Sequence, residues 1–298
     1  MLMIDLNKIG TERQNNKTMN LDQMTPLEIV TCMNTEDLNT VRAVHKALHE
    51  IAEAVKVCTA CLKNGGRMIY TGAGTSGRIG LMDAVECMPT FSSDQVIGLI
   101  AGGDRAFVKA VEGAEDSEEL AVQDLKNINA NEKDVIIGLA ASGRTPYVIG
   151  SLKYARQIHA STITIACSRN ARISEYADVA VEVDAGPEVL TGSTRLKSGT
   201  CQKMICNMLT TASMVGIGKV YGNLMVDMMA TNEKLRARAK HIIALATGVD
   251  EREAADALET AGGDMKTAIV MILKGVSREE ASEALKESDE FVRKALEK

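Results

Sequence analysis

The run Arg67-Met68-Ile69-Tyr70-Thr71-Gly72-Ala73-Gly74-Thr75-Ser76-Gly77-Arg78 decides how this chain is read. A β-prone, apolar stretch from Arg67 to Thr71 passes into glycines, and a helical pattern follows. A strand that turns through Gly72, Gly74 and Gly77 into a helix lets backbone N–H groups approach an anion closely, and Thr75 and Ser76 add hydroxyl donors at the positive end of that helix. The unit reads as a phosphate cradle. It also has the G-x-G-x-x-G form of a dinucleotide site, for which Asp104, beyond the second strand, is a loose match to the acid that holds a ribose.

Outward from this run, β-rich segments recur at Val96 to Ile100, Val135 to Leu139, Thr162 to Ala166 and Val179 to Val183. They alternate with helical patterns near residues 77–87, 106–127, 146–157 and 199–211. The middle segments are nearly all apolar, as suits strands covered on both faces. The expected fold is α/β, a doubly wound five-stranded parallel sheet over residues 63–229. Residues 1–62 read as an N-terminal helical arm: a polar stretch, a short helix after Pro26, and one long helix from Thr40 to Asn64. In that helix Val41, Val44, Leu48, Ile51, Val55, Cys58 and Leu62 repeat at spacings of three and four before Gly65 and Gly66 stop it. Residues 230–298 read as four or five short helices punctuated by Gly248, Gly262, Gly263 and Gly275, an all-helical module arranged at its centre like ubiquitin-associated domains and taken as a packing or oligomerisation module. Met225 to Asn232 reads as a Met-rich helical piece of core.

The third strand ends in Ala140-Ala141-Ser142-Gly143-Arg144-Thr145, followed by Pro146 at a first helical position. This is a second hydroxyl-bearing helix start at the carboxyl edge of the same sheet. Two such loops at one crevice suit a compact phosphate better than a bridging pyrophosphate. Thr75, Ser76, Ser142 and Thr145 are the expected phosphate ligands, with Gly72, Gly74, Gly77 and Gly143 shaping the loops. A third loop, Thr191 to Thr200, again precedes a helix and brings cations. Any one of these loops alone is equally well explained by helix capping. Two carboxylates stand out, Glu86 before Pro89 and Glu115 just after Gly113. By residue type each is more often a solvated surface acid; beside a phosphate site, one ionised and one neutral carboxyl would serve as base and acid.

Composition narrows the classes. The 298 residues are 45% hydrophobic and 25% charged, a globular balance, and 40 acids against 34 bases give a net charge of -6. With 3% aromatics and no Trp, the chain offers neither a phosphate-neutralising surface nor stacking platforms, so nucleic acid is not the expected partner. Seven cysteines without framework spacing suit reduced thiols. Cys58 and Cys61 have CxxC spacing inside a helical pattern but lack a second pair, and His45 and His49 lack a third ligand, so no metal is expected. The residues through Arg13 carry Asp5 and no apolar core, and no apolar run approaches the roughly 18 residues of a membrane span. The expectation is an unanchored cytoplasmic protein.

The runs Thr71 to Arg78 (TGAGTSGR), Val111 to Ser117 (VEGAEDS), Ala140 to Val148 (AASGRTPYV) and Glu188 to Lys203 (EVLTGSTRLKSGTCQK) resemble the N-acetylmuramic acid 6-phosphate etherases, proteins of the sugar isomerase (SIS) type. The resemblance extends from Thr11 and Glu12 to the C-terminal helices, and the last run is also similar to the signature of the glucokinase regulatory protein. It implies a lyase of peptidoglycan recycling that acts on a sugar phosphate and releases D-lactate, works without cofactor or metal, and forms a homodimer. Glu86 and Glu115 occupy the positions of the family's catalytic acids, and Ser193 or Lys197 is expected to approach the sugar or the lactyl carboxylate. If the segment from Ser76 to Glu86 is continuous helix, Glu86 lies roughly 15 Å from the phosphate loop. Either the helix breaks near Gly80, or the chain folds back at Pro89, or Glu86 serves a site across a subunit interface. A non-catalytic sugar-phosphate sensor and an aldose-ketose isomerase are the competing readings.

Overall fold

The computed structural model describes residues 10–109, 111–230 and 232–298, so the expectation about the first residues, Asp5 among them, lies outside the described residues. The chain forms two compact units, one of residues up to Val85 with Gln95–Thr210, the other of Glu86–Asp94 with Thr211–Lys298.

In the first unit, five strands, β1 (Met68–Gly72), β2 (Val96–Ile100), β3 (Val135–Ala140), β4 (Ser161–Ala166) and β5 (Val179–Glu182), form one sheet in the order β2-β1-β3-β4-β5. Every pairing is parallel, with Gly72 opposite both Ile100 and Leu139. Every residue of β1 and β3 is buried, whereas the edge strands β2 and β5 are only partly so, which is why the central segments are the most uniformly apolar. The doubly wound five-stranded parallel sheet is as expected.

The helices differ from expectation in three places. The long helix before β1 is two, α1 (Pro26–Lys46) and α2 (Leu48–Lys63), separated at Ala47. Thr25 caps α1 with a full capping box to Glu28, so the helix starts fourteen residues earlier than the apolar repeat suggests. After β2 the single expected helix is a four-residue turn, α4 (Arg105–Val108), a loop, a 3-10 turn at Ala114–Asp116, and α5 (Glu118–Asn127), whose N-cap is Ser117. Gly113, with φ of +74°, interrupts what the pattern alone presents as continuous. Before α4 comes α3 (Gly74–Phe91); after α5 come α6 (Pro146–Gln157) and α7 (Lys197–Gly216).

The second unit carries a short hairpin, β6 (Val220–Tyr221) with β7 (Leu224–Met225), and five helices: α8 (Glu233–Thr247), α9 (Glu251–Thr260), α10 (Met265–Lys274), α11 (Arg278–Lys286) and α12 (Val292–Glu297). The described residues of Met225 to Asn232 are therefore not helical: the segment begins in a strand and passes into a turn at Val226 and Asp227. Its Val226 and Met228 do enter the core, with Ile243, Ala254, Ile269 and Ala281, while Met229 is exposed. Among the described residues no helix is long and apolar enough to cross a membrane.

The N-terminal arm is fastened to the first unit by polar contacts. Asn15 donates to the Pro187 carbonyl at 3.3 Å and Thr18 to that of Val189 at 2.8 Å. Glu36 on α1, 4% exposed, takes the ammonium of the buried Lys197 at 2.9 Å, that of Lys17 at 2.8 Å and the Asn15 amide at 3.1 Å. Burial alone would raise its pKa, but the hydrogen bonds from Lys17, Lys197 and Asn15 overcome it and bring the carboxyl from 4.5 down to about 2. A folded-state pKa below the unfolded one stabilises fully above the unfolded value and is lost as pH falls toward the folded value. Glu36→Gln should lower the unfolding free energy at neutral pH by about 3–5 kcal/mol, because Lys197 then stays buried without its counter-ion. In urea titrations the gap between wild type and variant should shrink as pH falls from 4.5 toward 2. A gap independent of pH would contradict the pairing.

Candidate active site

Strands β1 and β3 are neighbours, and the loops that leave their carboxyl ends begin opposite each other, at Gly72 and Leu139. This is where the strand order reverses, the crevice in which open parallel sheets bind ligands. From β1 the chain turns into α3 within two residues, which requires the strand end and the helix to touch. A Cβ on Gly77 would stand 2.6 Å from the Gly72 carbonyl oxygen, and one on Gly72 would stand 2.8 Å from the Gly77 nitrogen. The two glycines thus bring the first turn of α3, with its unpaired N–H groups, directly over the end of β1.

On the second loop, Gly143 has φ of +71°, and a Cβ there would lie 2.4 Å from that of Ala171. Ser142 and Thr145 are half-buried, and Arg144 is exposed. Thr145 holds the N-cap position of α6, yet its side chain makes no capping hydrogen bond, so its hydroxyl is not committed to the helix as capping alone would require. On the first loop Thr75 is half-buried, and Ser76, 8% exposed, donates its hydroxyl to Gln202 Oε1 at 2.9 Å.

The third loop is organised by residues that composition did not single out. Glu188, 1% exposed, accepts from the Lys197 and Ser198 N–H groups at 3.0 and 2.9 Å and from the Ser198 hydroxyl at 2.9 Å. It thereby caps α7 across the intervening loop. Lys197, expected near the sugar or the lactyl carboxylate, is 1% exposed, and its ammonium is held by Glu36 and by the Ala185 carbonyl at 2.9 Å. A cation at the first position of a helix opposes the helix dipole, and that conflict was the available sign that Lys197 has a dedicated partner. Ser193 lies half-buried in a turn, its N–H bonded to the Leu190 carbonyl at 3.0 Å.

Glu115 lies exposed on the 3-10 turn after Gly113, and it shares a cavity of about 200 Å³ with Ala73, Gly74, Arg78, Val111 and Gly113. The helix N-terminus and two carboxylates, Glu112 and Glu115, therefore face a common space. Arg78 is half-buried, and its guanidinium donates to the carbonyls of Phe107 at 2.8 Å and Ala106 at 2.6 Å, tying α4 to α3. Larger clefts of about 470 and 560 Å³ border α1, lined in part by Arg42, Lys46 and Asp184. Neither touches the loops after β1 and β3; the smaller cavity does not reach Ser142, Gly143 or Thr145 either, but it joins the start of α3 to Glu115, and we place the site there.

Glu86 is exposed on α3, which runs unbroken through Gly80 and Pro89 to Phe91. The expected alternatives of a break at Gly80 or a reversal at Pro89 are thus excluded. Ten residues of continuous helix separate Glu86 from Ser76, a rise of roughly 15 Å. Cys58 and Cys61 are buried on α2, as their apolar spacing suggests.

The sugar isomerase (SIS) domain model matches residues 109–212, and that of the glucokinase regulatory protein N-terminal SIS domain matches residues 50–156. The N-acetylmuramic acid 6-phosphate etherase of Geobacillus sp. (strain WCH70) is 60% identical over 293 residues, covering 98% of this chain and 99% of that protein. The chain belongs to the N-acetylmuramic acid 6-phosphate etherase family. A second member, from Exiguobacterium sp. (strain ATCC BAA-1283 / AT1b), is 56% identical over 98% of this chain and 100% of its own length. Among solved structures, a phosphoheptose isomerase from Francisella tularensis has a TM-score of 0.49 at 17% identity, over 63% of this chain and 100% of that one. In this member of the etherase family the matched SIS region includes Glu115 and runs from before β3 through most of α7.

Because Gly143 is both left-handed and crowded, Gly143→Ala should lower the unfolding free energy by about 1–3 kcal/mol from backbone strain alone. The contact with Ala171 adds to that loss. A urea titration showing a change under about 0.5 kcal/mol would contradict the assigned geometry.

Proposed function

We propose that the chain is a carbon–oxygen lyase that cleaves the lactyl ether of N-acetylmuramic acid 6-phosphate, giving N-acetylglucosamine 6-phosphate and D-lactate. The observation that carries this reading is the near-complete likeness to etherases, 60% identity over 98% of the chain. The geometry supports a mechanism of elimination followed by hydration. The 6-phosphate sits at the N-terminus of α3, where N–H groups, Thr75, Ser76, Ser142 and Thr145 donate to it. Ring opening exposes a C1 aldehyde that acidifies the proton on C2. Glu115, facing the same cavity as Gly74, removes that proton. The electron pair forms a C2–C3 double bond, the C3–O bond breaks, and lactate leaves with a proton from Glu86. Water then adds to C3 of the unsaturated aldehyde, and C2 regains a proton.

A hexose 6-phosphate, from phosphorus to C3, is too short to bridge Ser76 and Glu86 along one α3. Glu86 therefore acts in the site of a second copy, and the working species is a homodimer in the cytoplasm. Met82, Val85 and Met88, exposed at spacings of three along α3 with Met82 one turn before Glu86, support this as a surface that a partner covers. In a two-fold dimer the exchange is reciprocal, each copy lending Glu86 to the other.

Assays of D-lactate release test the activity itself; tight binding without release would favour a sensor, and an isomerised sugar phosphate an isomerase. Glu115→Gln should lose both lactate release and exchange of the C2 proton with deuterated solvent, by about 10²–10⁴-fold. Glu86→Gln should lose lactate release while keeping the exchange; the opposite pattern would reverse the two roles. Mixing the two inactive variants and allowing subunits to exchange should restore about a quarter of wild-type activity, from the one intact site in each mixed dimer. No recovery after demonstrated exchange would contradict the shared site.

A further inference from the structure

Gln202 lies wholly buried in the second turn of α7, beside the first turn of α3. The two turns are in close register: a Cβ on Gly199 would meet Ile79 at 3.5 Å and the Thr75 methyl at 3.6 Å. Glu188 fixes the start of α7 from the other side through the Lys197 and Ser198 N–H groups. The Gln202 side chain is therefore held against Ser76 by two packed helix starts.

Its amide is half used. Oε1 accepts the Ser76 hydroxyl at 2.9 Å, while Nε2 is buried with no hydrogen-bond partner. In this arrangement the one proton of Ser76 is committed to Gln202, and none is left for an anion. A half turn of the amide exchanges oxygen and nitrogen within the same space. Nε2–H then donates to Ser76 Oγ, the Ser76 proton turns toward the α3 N-terminus, and the group left unpaired is a carbonyl oxygen, which tolerates it better than a buried N–H.

We propose that Gln202 is a positioning residue for phosphate recognition: its amide turns from acceptor to donor when a phosphate monoester occupies the α3 N-terminus, and so directs the Ser76 O–H onto it. Gln202 touches no substrate and acts through Ser76. The inference rests on the reading of Ser76 as a phosphate ligand.

The test measures kcat and KM for N-acetylmuramic acid 6-phosphate, and competitive inhibition by inorganic phosphate, in Ser76→Ala, Gln202→Met, the double variant and Gln202→Glu. Each single change to Ala or Met should weaken phosphate inhibition and raise KM by about tenfold, the scale of one hydrogen bond to a charged group, with the larger part of the loss in KM. The double variant should be no worse than Ser76→Ala alone. Gln202→Glu keeps the shape but, ionised, only accepts; its KM relative to wild type should fall toward one as pH drops and the protonated carboxyl donates. If Ser76→Ala leaves phosphate inhibition unchanged, the phosphate reading itself fails. If Ser76→Ala weakens it but Gln202→Met adds its full factor in the double variant, or the Gln202→Glu ratio is flat with pH, Gln202 has no positioning role. Should Gln202→Met fail to fold, the pH profile of the near-isosteric Gln202→Glu decides alone.

Discussion

A parallel sheet in the order β2-β1-β3-β4-β5 has one place where successive connections leave in opposite directions, between β1 and β3. The rest of the molecule's chemistry depends on that reversal. It opens a crevice at the carboxyl ends of two fully buried strands, and both strands end in short loops that feed helix N-termini. The anion site proposed there needs no cation, because the first-turn N–H groups of α3 supply the donors and the helix dipole the sign. Gly72 and Gly77 are what allow that turn to come so close.

Around this crevice the polar residues divide by task. Carboxylates buried away from the cavity hold the scaffold: Glu188 closes the third loop onto α7, and Glu36 neutralises the ammonium of Lys197 deep between α1 and α7. A buried pair of that kind contributes specificity of arrangement more than net stability, because desolvation offsets much of the attraction. Glu115, by contrast, stays exposed on a short turn that a left-handed glycine introduces, where a substrate can reach it. The same division separates the conspicuous cation of the third loop, which is buried in the scaffold, from the inconspicuous acid of the second crossover, which is open to the cavity.

Much of this was legible from residues alone. The five strands were recoverable because strands covered on both faces must be apolar throughout, and the C-terminal helices because Gly248 and Gly275 end their helices in left-handed turns. Three elements were not. The break at Ala47 leaves the apolar repeat of α1 and α2 uninterrupted, since Val44, Ala47 and Ile51 are all buried across it. The segment from Arg105 to Asn127 keeps a helical composition although Gly113 divides it. Met225 to Asn232 carries apolar residues that a strand and a loop bury as well as a helix does. In the site, glycine and hydroxyl positions marked the loops correctly, but side-chain partners such as Gln202 for Ser76 and Glu36 for Lys197 are distant in sequence. Those pairings are set by how α1, α3 and α7 pack, and no local spacing encodes them.

The central claim is chemical, that the ether is broken by elimination at C3 followed by hydration. Running the reaction in ¹⁸O-labelled water tests it directly. Elimination leaves the ether oxygen in D-lactate and places solvent oxygen on C3 of the product sugar. Label in the lactate hydroxyl, with none at C3, would mean that water attacks the lactyl carbon instead, and would contradict the roles given to Glu115 and Glu86.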